Sequence, residues 1–374
     1  MNDPGLTIER LFLDASCLDY PLTRKIRERL SGTPEDIVQD PEVFLEEYRQ
    51  KRTDPLEDGK RSLWLTRQKG DFIKPCPCTP HYLGCRYVTI NLDLNCPLDC
   101  TYCILQLYLS NPLLTIFVNT PDLWLELDAF LGRRQGGIPV RIGTGELGDS
   151  LALDPITERS RELVAYFRQR PGALFELKTK STHIQNLLDI DPAPNIVIAW
   201  SLNAPAVAQR DEGGAPPVSE RIEAAHRVVE RGFRAAFHFD PLIRHPGWQE
   251  GYAGVIRQLS ARIPSDRIAW ISLGALRFPP ALKEIMAQRH PDSRLLYEEF
   301  IRGLDGKFRY FKPHRVEMLR FTAERIREGL GREVPLYLCM ESGEIWRRVL
   351  KKEPEGEEEI EGYLASPSGL CQFT

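Results

Sequence analysis

The sequence has no apolar run long enough to span a bilayer. Its most apolar stretch, LYLSNPLLTIFV, is broken by Ser110, Asn111 and Pro112, whereas a membrane helix needs about 20 apolar residues. A strong charge of either sign is also missing. The 49 Lys and Arg nearly balance the 53 Asp and Glu, leaving a net charge of −4. The chain as a whole therefore gives no electrostatic sign of nucleic-acid or membrane binding, and only a local patch could supply one. The opening MNDPGLTIERLFLD has no basic stretch leading into an apolar one, so no secretory signal is read there. These absences predict a cytoplasmic protein with no membrane partner. Cysteine is absent from the whole interval between Cys103 and Cys339, although the chain has nine. In a reducing compartment an odd count argues against a disulfide framework, and tight clusters point to metal or redox chemistry. Six of the nine crowd between Cys76 and Cys103.

The 374 residues are 42% hydrophobic, ample for a large core. RYVTINLDL reads as a strand leading into the cysteines, and LTIFVN as another. From there strands and helices alternate: VRIGTGE, LFELKTK, NIVIAWSLN, FRAAFHFDPLI and RIAWISLGALRF are strands with helical stretches between them. Short apolar strands evenly separated by helices argue for parallel β/α units. About six units are present, so the expected class is α/β, a partial (β/α)6 TIM-type barrel, with a doubly wound open sheet as the alternative. The expected divisions are an N-terminal α/β extension over 1–75, the barrel over 76–290, a C-terminal helix–strand extension over 291–350 and an acidic flexible tail over 351–374. The helix SERIEAAHRVVERG is expected to be capped by Ser219 and ended by Gly232. DEGGAPPVS, at 211–219, reads as a surface loop.

Cys96-x3-Cys100-x2-Cys103 sits in LNCPLDCTYCILQ. Three thiolates at this spacing can hold three corners of a [4Fe–4S] cube from one loop. No fourth ligand lies nearby, so one iron is left open to a reactant, as in the open position of a catalytic zinc. Zinc sites usually pair C-x2-C with a second ligand pair, and none is adjacent here. In a β/α barrel, a loop that follows a strand lies at the catalytic mouth.

With Tyr102 just before the third cysteine, the motif resembles that of the radical S-adenosylmethionine superfamily. CTYCILQ, DSLALD, SLNA, PLIRHPGWQEGY and LDYPLTRKI together narrow the resemblance to the spore photoproduct lyase branch. The resemblance implies a radical-type partial barrel and a [4Fe–4S] cluster on Cys96, Cys100 and Cys103. It also implies that the open iron is chelated by S-adenosylmethionine, which is cleaved to a 5′-deoxyadenosyl radical. An external electron donor of the flavodoxin or ferredoxin type is implied as a partner, and nucleic acid is a candidate substrate. Tyr102 and Glu146 are the candidate catalytic residues. Tyr102, Thr144, Gly145, Glu146, Lys178, Ser201 and Asn203 are candidates for holding the cofactor, Glu146 because a carboxylate accepts charge-assisted hydrogen bonds from an ammonium. Lys180 shares the strand end with Lys178. Asp240, Arg244 and His245 are candidates for the substrate pocket.

The lyase returns a hydrogen atom to its product from a cysteine thiol. An ungapped match of GELGDSLALD to the family sets Glu146 at that cysteine's place, and sets Ile104 where a second family tyrosine stands. A carboxylate moves protons or holds charge and does not donate a hydrogen atom. The expectation is therefore a radical enzyme, spore photoproduct lyase-like but with another reaction. One alternative is a DNA-lesion lyase with a different hydrogen donor. Another is a non-enzymatic iron–sulfur or zinc protein that binds nucleic acid or senses redox state. Upstream, KPCPCTPHYLGCRY carries Cys76, Cys78 and Cys85. With Cys339 or Cys17 these could hold a second iron–sulfur cluster or a zinc, and His81 is a further candidate ligand. The segment 301–320 interleaves Arg302, Lys307, Arg309, Lys312, Arg315 and Arg320 with Phe308, Tyr310 and Phe311. It could bind nucleic acid. The favoured reading is a loop entering an amphipathic helix, with Phe311 and Met318 in the core and the charges solvated.

Overall fold

Seven parallel strands form the main sheet of the computed structural model, which describes residues 6–134 and 137–365. They are β1 (Val88–Ile90), β2 (Val140–Thr144), β3 (Ala173–Thr179), β4 (Ile196–Ser201), β5 (Arg234–Leu242), β6 (Ile268–Ala275) and β7 (Leu336–Leu338). Their order in the sheet follows the chain, and Ile73–Pro75 adds an antiparallel edge beside β1. Every residue of β4 and β6 is buried, as expected of parallel strands covered on both faces. The sheet is curled into a half-barrel. In a flat sheet β2 and β7, five places apart, would be separated by about 24 Å. Arg141 of β2 instead lies 3.5 Å from the Tyr337 hydroxyl of β7 and over the Trp270 ring of β6. Glu176, on β3, accepts from His238 Nε2 (2.8 Å) and Trp270 Nε1 (3.1 Å) in the same interior.

Helices α1 (Thr120–Gly132), α2 (Arg159–Phe167), α3 (Val218–Arg231), α4 (Trp248–Arg262), α5 (Pro280–Arg289) and α6 (Lys312–Leu330) connect the strands. In α3, Ile222, Ala225, Val228 and Val229 form a buried stripe at helical spacing. The helix ends at Gly232, whose φ of +110° suits glycine. Ser219 is not its cap: the helix starts one residue earlier, and Pro217 holds the capping position.

A second sheet gathers the N-terminal strands. Glu35–Val38, Arg10–Asp14, Ser62–Thr66 and Leu114–Phe117 lie parallel in that order, with Asp93–Leu94 antiparallel at the end. LTIFVN therefore joins the sheet of the N-terminal extension rather than the barrel. The cysteine loop is an excursion between two paired strands of that sheet, which anchors both of its ends.

The C-terminal part departs from expectation. Strand β7 enters the main sheet from the extension, so seven parallel strands stand where about six were counted. After α7 (Gly343–Leu350), the acidic segment forms α8 (Glu357–Ala365) rather than a flexible tail. Ile360, Tyr363 and Leu364, at helical spacing, are buried, and the Tyr363 hydroxyl accepts from Leu336 N at 3.0 Å. Residues 366–374 of the expected tail lie outside the described residues.

Candidate active site

The cysteine loop is held by its own carbonyls. Gln106 Nε2 reaches Thr101 O at 2.9 Å and the carbonyls of Cys100 and Cys103 at 3.3 Å. Lys60 Nζ reaches Cys96 O (2.9 Å) and Leu98 O (2.6 Å). Asn95, with φ +69°, turns its side chain to accept from Cys96 N and donate to Pro112 O. With its carbonyls engaged from outside, the loop is free to aim its thiols elsewhere. Burial pushes the Cys96 thiol well up and Cys100 to about 12, with Lys180 opposing the rise at Cys100. A bound metal reverses that preference, because coordination deprotonates a thiol outright.

All three cysteines line one cavity of about 150 Å³. Its other walls include Tyr102, Gly145, Glu146, Asp149, Lys178, Lys180, Ser201 and Asp240. A second cavity of about 250 Å³ shares the walls Tyr102, Cys103, Ile104, Glu146 and Asp240, and adds Pro77, Tyr108, Arg277, Lys307 and Met340. The strand ends thus converge on the cysteine loop. Gly145 has φ +96°, and a Cβ there would fall 2.6 Å from Lys178 O and 2.9 Å from Ser150 Oγ. Thr144 lies behind this wall, its hydroxyl 2.6 Å from Ser150 Oγ. Asp149 ties two strand ends together. It accepts from Leu151 N, Ala152 N and the Thr179 hydroxyl on one oxygen, and from Lys180 N (2.7 Å) on the other.

Beneath Tyr102 is a buried charge network. The Tyr102 hydroxyl donates to Glu212, which forms an ion pair with Arg221 at 2.7 Å, both side chains nearly fully buried. Burial pushes the Glu212 carboxyl up, but Lys180 and Arg221 outweigh it and hold the group below its ordinary value. Glu212–Gly213 also pairs antiparallel with Asp99–Cys100. The segment 211–219 is therefore no simple surface loop: Asp211 and Glu212 are buried against the cysteine loop. Asn203 belongs to this network rather than to the cavity wall. Its Oδ1 accepts from the Tyr252 hydroxyl at 2.6 Å and its amide reaches Pro241 O at 3.2 Å. Sequence reasoning missed Glu212, Arg221, Lys60, Gln106 and Asp149. Only the last two had a local signal, by adjoining the cysteine motif and the GTGE segment.

A family model described as "Spore photoproduct lyase" matches residues 83–332. The chain belongs to the spore photoproduct lyase family. Members are radical S-adenosylmethionine enzymes, and so is this chain. The spore photoproduct lyase of Bacillus subtilis (strain 168) is 24% identical over 302 residues, which cover 77% of this chain and 84% of that protein. The one from Clostridium acetobutylicum is 22% identical over 326 residues, covering 85% and 94%. Among solved structures, a doubly substituted spore photoproduct lyase with bound AdoMet and dinucleoside spore photoproduct superposes with a TM-score of 0.75. It is 20% identical, over 89% of this chain and 98% of that one. A lyase complexed with dinucleoside spore photoproduct matches equally, with a TM-score of 0.75.

Within this family fold the remaining candidates divide. Asp240 lines both cavities and is gripped by Arg277 through two contacts, at 2.8 and 3.1 Å. Burial pushes its carboxyl up, but Arg277 overrides this and holds it at about 2. Arg244 and His245 are not among the lining residues of either cavity. Arg244 pairs with Glu298 (2.8 Å), and His245 is buried with Nδ1 3.0 Å from Ile243 O. In the basic segment, Met318 is in the core as expected but Phe311 is 44% exposed. Nor are the charges all solvated: Arg309 is buried on Asp305, and Arg315 on Glu341. Lys307 lines the second cavity.

The residues suit the cofactors that the resemblance implies. The cavity offers three soft thiol donors, three carboxylates and two lysines, and the absence of a side chain at Gly145 lets its backbone pack directly against Lys178 O and Ser150 in the cavity wall. Among the described residues, no three Cys, His, Asp or Glu side chains are gathered as they would be around one metal ion. Sulfurs around a single zinc sit only ~3.8 Å apart; a four-iron cube spreads its thiolates more widely.

Proposed function

We propose that Cys96, Cys100 and Cys103 ligate the [4Fe–4S] cluster and that the surrounding strand ends hold S-adenosylmethionine. One observation carries the reading: the three thiols and the polar strand ends of β2, β3 and β4 line a single cavity. When bound, the reduced cluster supplies the electron that cleaves the cofactor to a 5′-deoxyadenosyl radical. Glu146 accepts hydrogen bonds from the cofactor's ammonium, and Lys178 or Lys180 meets its carboxylate. Gly145 lets the backbone approach closely, with Thr144 and Ser150 setting its position. Ser201 lines the far side of the cavity. Tyr102, anchored through Glu212, forms a fixed aromatic wall; burial pushes its phenol well up and keeps the proton in place. The second cavity, with Tyr108, Arg277 and Lys307 on its walls, receives the substrate. Aromatic and cationic groups together suit a nucleic-acid base and its phosphate.

The ungapped match sets Glu146 at the place of the lyase's thiol, and a carboxylate does not donate a hydrogen atom, which favours a radical reaction other than the thiol-dependent repair of a thymine dimer. The enzyme is tested anaerobically with S-adenosylmethionine and a strong reductant. Formation of 5′-deoxyadenosine is expected, and Cys96→Ala should abolish it together with the open-iron signal. A fully iron-loaded protein that makes none would refute the reading. Repair of spore photoproduct in DNA by the unaltered enzyme would replace it with a lesion lyase that uses a different hydrogen donor.

A further inference from the structure

Four cysteines that the proposed function leaves unused come from two distant stretches of chain. Cys76, Cys78 and Cys85 lie between the edge strand Ile73–Pro75 and β1. Cys339 directly follows β7, at the opposite end of the sheet order. The curl of the half-barrel closes that distance, and an antiparallel bridge pairs Leu83 with Glu341, Leu83 N donating to Glu341 O at 3.1 Å. The loop is folded tightly on itself. Cys78 N donates to Cys76 O (2.7 Å) and Cys76 N to Tyr87 O (2.8 Å), and a Cβ on Gly84 would lie 2.8 Å from Cys78 Sγ. Cys339 N is fixed on Leu273 O at 2.8 Å.

Two guanidinium groups flank these thiols. Arg277 Nη2 donates to Cys339 Sγ at 3.4 Å. Arg141, 1% exposed, places its charge beside Cys85, and its Nε and Nη1 have no hydrogen-bond partner. Glu176 shares this interior but accepts from His238 and Trp270, so the two free donors of Arg141 still call for an acceptor, which a thiolate at Cys85 supplies. Four thiolates around Zn²⁺, or around a [4Fe–4S]²⁺ core, leave two net negative charges. The backbone repeats a feature of the first cysteine loop. Arg86 (φ +52°) and Met340 (φ +53°) adjoin Cys85 and Cys339 in the left-handed region, as Asn95 adjoins Cys96. Strained backbone of this kind collects at functional sites.

We propose that Cys76, Cys78, Cys85 and Cys339 form a second, all-thiolate site for a thiophilic metal centre, either an iron–sulfur cluster or a zinc ion. The four thiols are not already gathered around one point. Filling the site therefore draws the 76–85 loop inward around zinc, or spans the gap with a multi-iron core. Pro77 and Met340, beside three of the four ligands, line the second cavity, so the centre adjoins the substrate space.

The test first empties the other site. A Cys96→Ala/Cys100→Ala/Cys103→Ala variant is purified anaerobically, and its iron, acid-labile sulfide and zinc are counted. Retention of about one zinc, or of about two to four irons with matching sulfide, is expected, and iron against zinc identifies the centre. The complementary variant, Cys78→Ser/Cys339→Ser, keeps the triplet. It should lose that same increment while keeping about four irons and the ability to cleave S-adenosylmethionine. Should the triplet variant misfold, the difference between the unaltered protein and the double-serine variant still reads the second site. Equal metal content in those two proteins would overturn the proposal. So would a folded triplet variant with no metal whose four thiols all react with a thiol reagent. Either result leaves the function proposed for the triplet standing.

Discussion

Glu212→Gln tests whether the buried network under Tyr102 holds the cysteine loop. The substitution preserves shape and removes one charge. Glu212 is 2% exposed and Arg221 0%, and they meet at 2.7 Å. Removing one partner of a buried ion pair typically costs ~3–5 kcal/mol, because the other charge stays buried. The hydrogen bond from Tyr102 survives on the amide oxygen but loses its charge assistance, a further ~1 kcal/mol. The pH dependence follows from the lowered carboxyl of Glu212. A group depressed in the folded state contributes stability that is fully present above its unfolded value, about 4.3. That contribution is lost as pH falls through the folded value. Glu212→Gln should therefore unfold at lower urea at pH 7, and the gap to the parent should narrow toward acid. Urea unfolding by circular dichroism at pH 7 and pH 4, on anaerobically prepared protein, measures both. Glu212–Gly213 pairs with Asp99–Cys100, so iron content should fall as well. Replacing both partners, as Glu212→Leu/Arg221→Met, should recover part of the loss. The reasoning is refuted if Glu212→Gln stays within about 0.5 kcal/mol of the parent at pH 7 and holds its full iron.

Other substitutions probe separate parts of the same argument. Gly145→Ala puts a Cβ 2.6 Å from Lys178 O at φ +96°; it should cost at least ~1–3 kcal/mol in thermal unfolding and weaken S-adenosylmethionine binding by titration calorimetry. Asp240→Asn removes a carboxylate held at about 2 by Arg277. With an ordinary value near 3.9, that is ~2–3 kcal/mol at pH 7, lost as pH falls from about 4 to about 2, so the variant's acid-unfolding curve should be flatter. Ending the chain before Glu357 removes Ile360, Tyr363 and Leu364 from the core. At roughly 1.5–3 kcal/mol per buried side chain, the shortened protein should lose several kcal/mol by urea titration, whereas a flexible tail would cost nothing.

What could be read in advance was what repeats locally. The apolar strands of NIVIAWSLN and RIAWISLGALRF, the stop at Gly232 and the three-cysteine spacing each depend on neighbours a few residues away. The strand-to-loop order also placed the triplet where a barrel opens. The misread parts were those whose surroundings come from far along the chain. DEGGAPPVS has loop composition, yet Glu212 is buried because a strand from the cysteine loop pairs with it. LTIFVN has strand composition, which says nothing about which of two sheets it joins. Arg309 and Arg315 look solvated until Met340 O and Glu341, from beyond the following helix, are folded against them. The acidic segment at 357–365 looks like a tail unless its three apolar residues at helical spacing are given weight.

The sequence by itself determined the elements and the chemistry that the loop can perform, because backbone propensity, side-chain period and thiol spacing are short-range properties. Only the tertiary structure decided which charges are buried, which strand ends share the cavity, and that Cys339 stands near the loop carrying Cys85. Those follow from the curl of the sheet, and curvature is a property of all seven strands together that no single segment encodes.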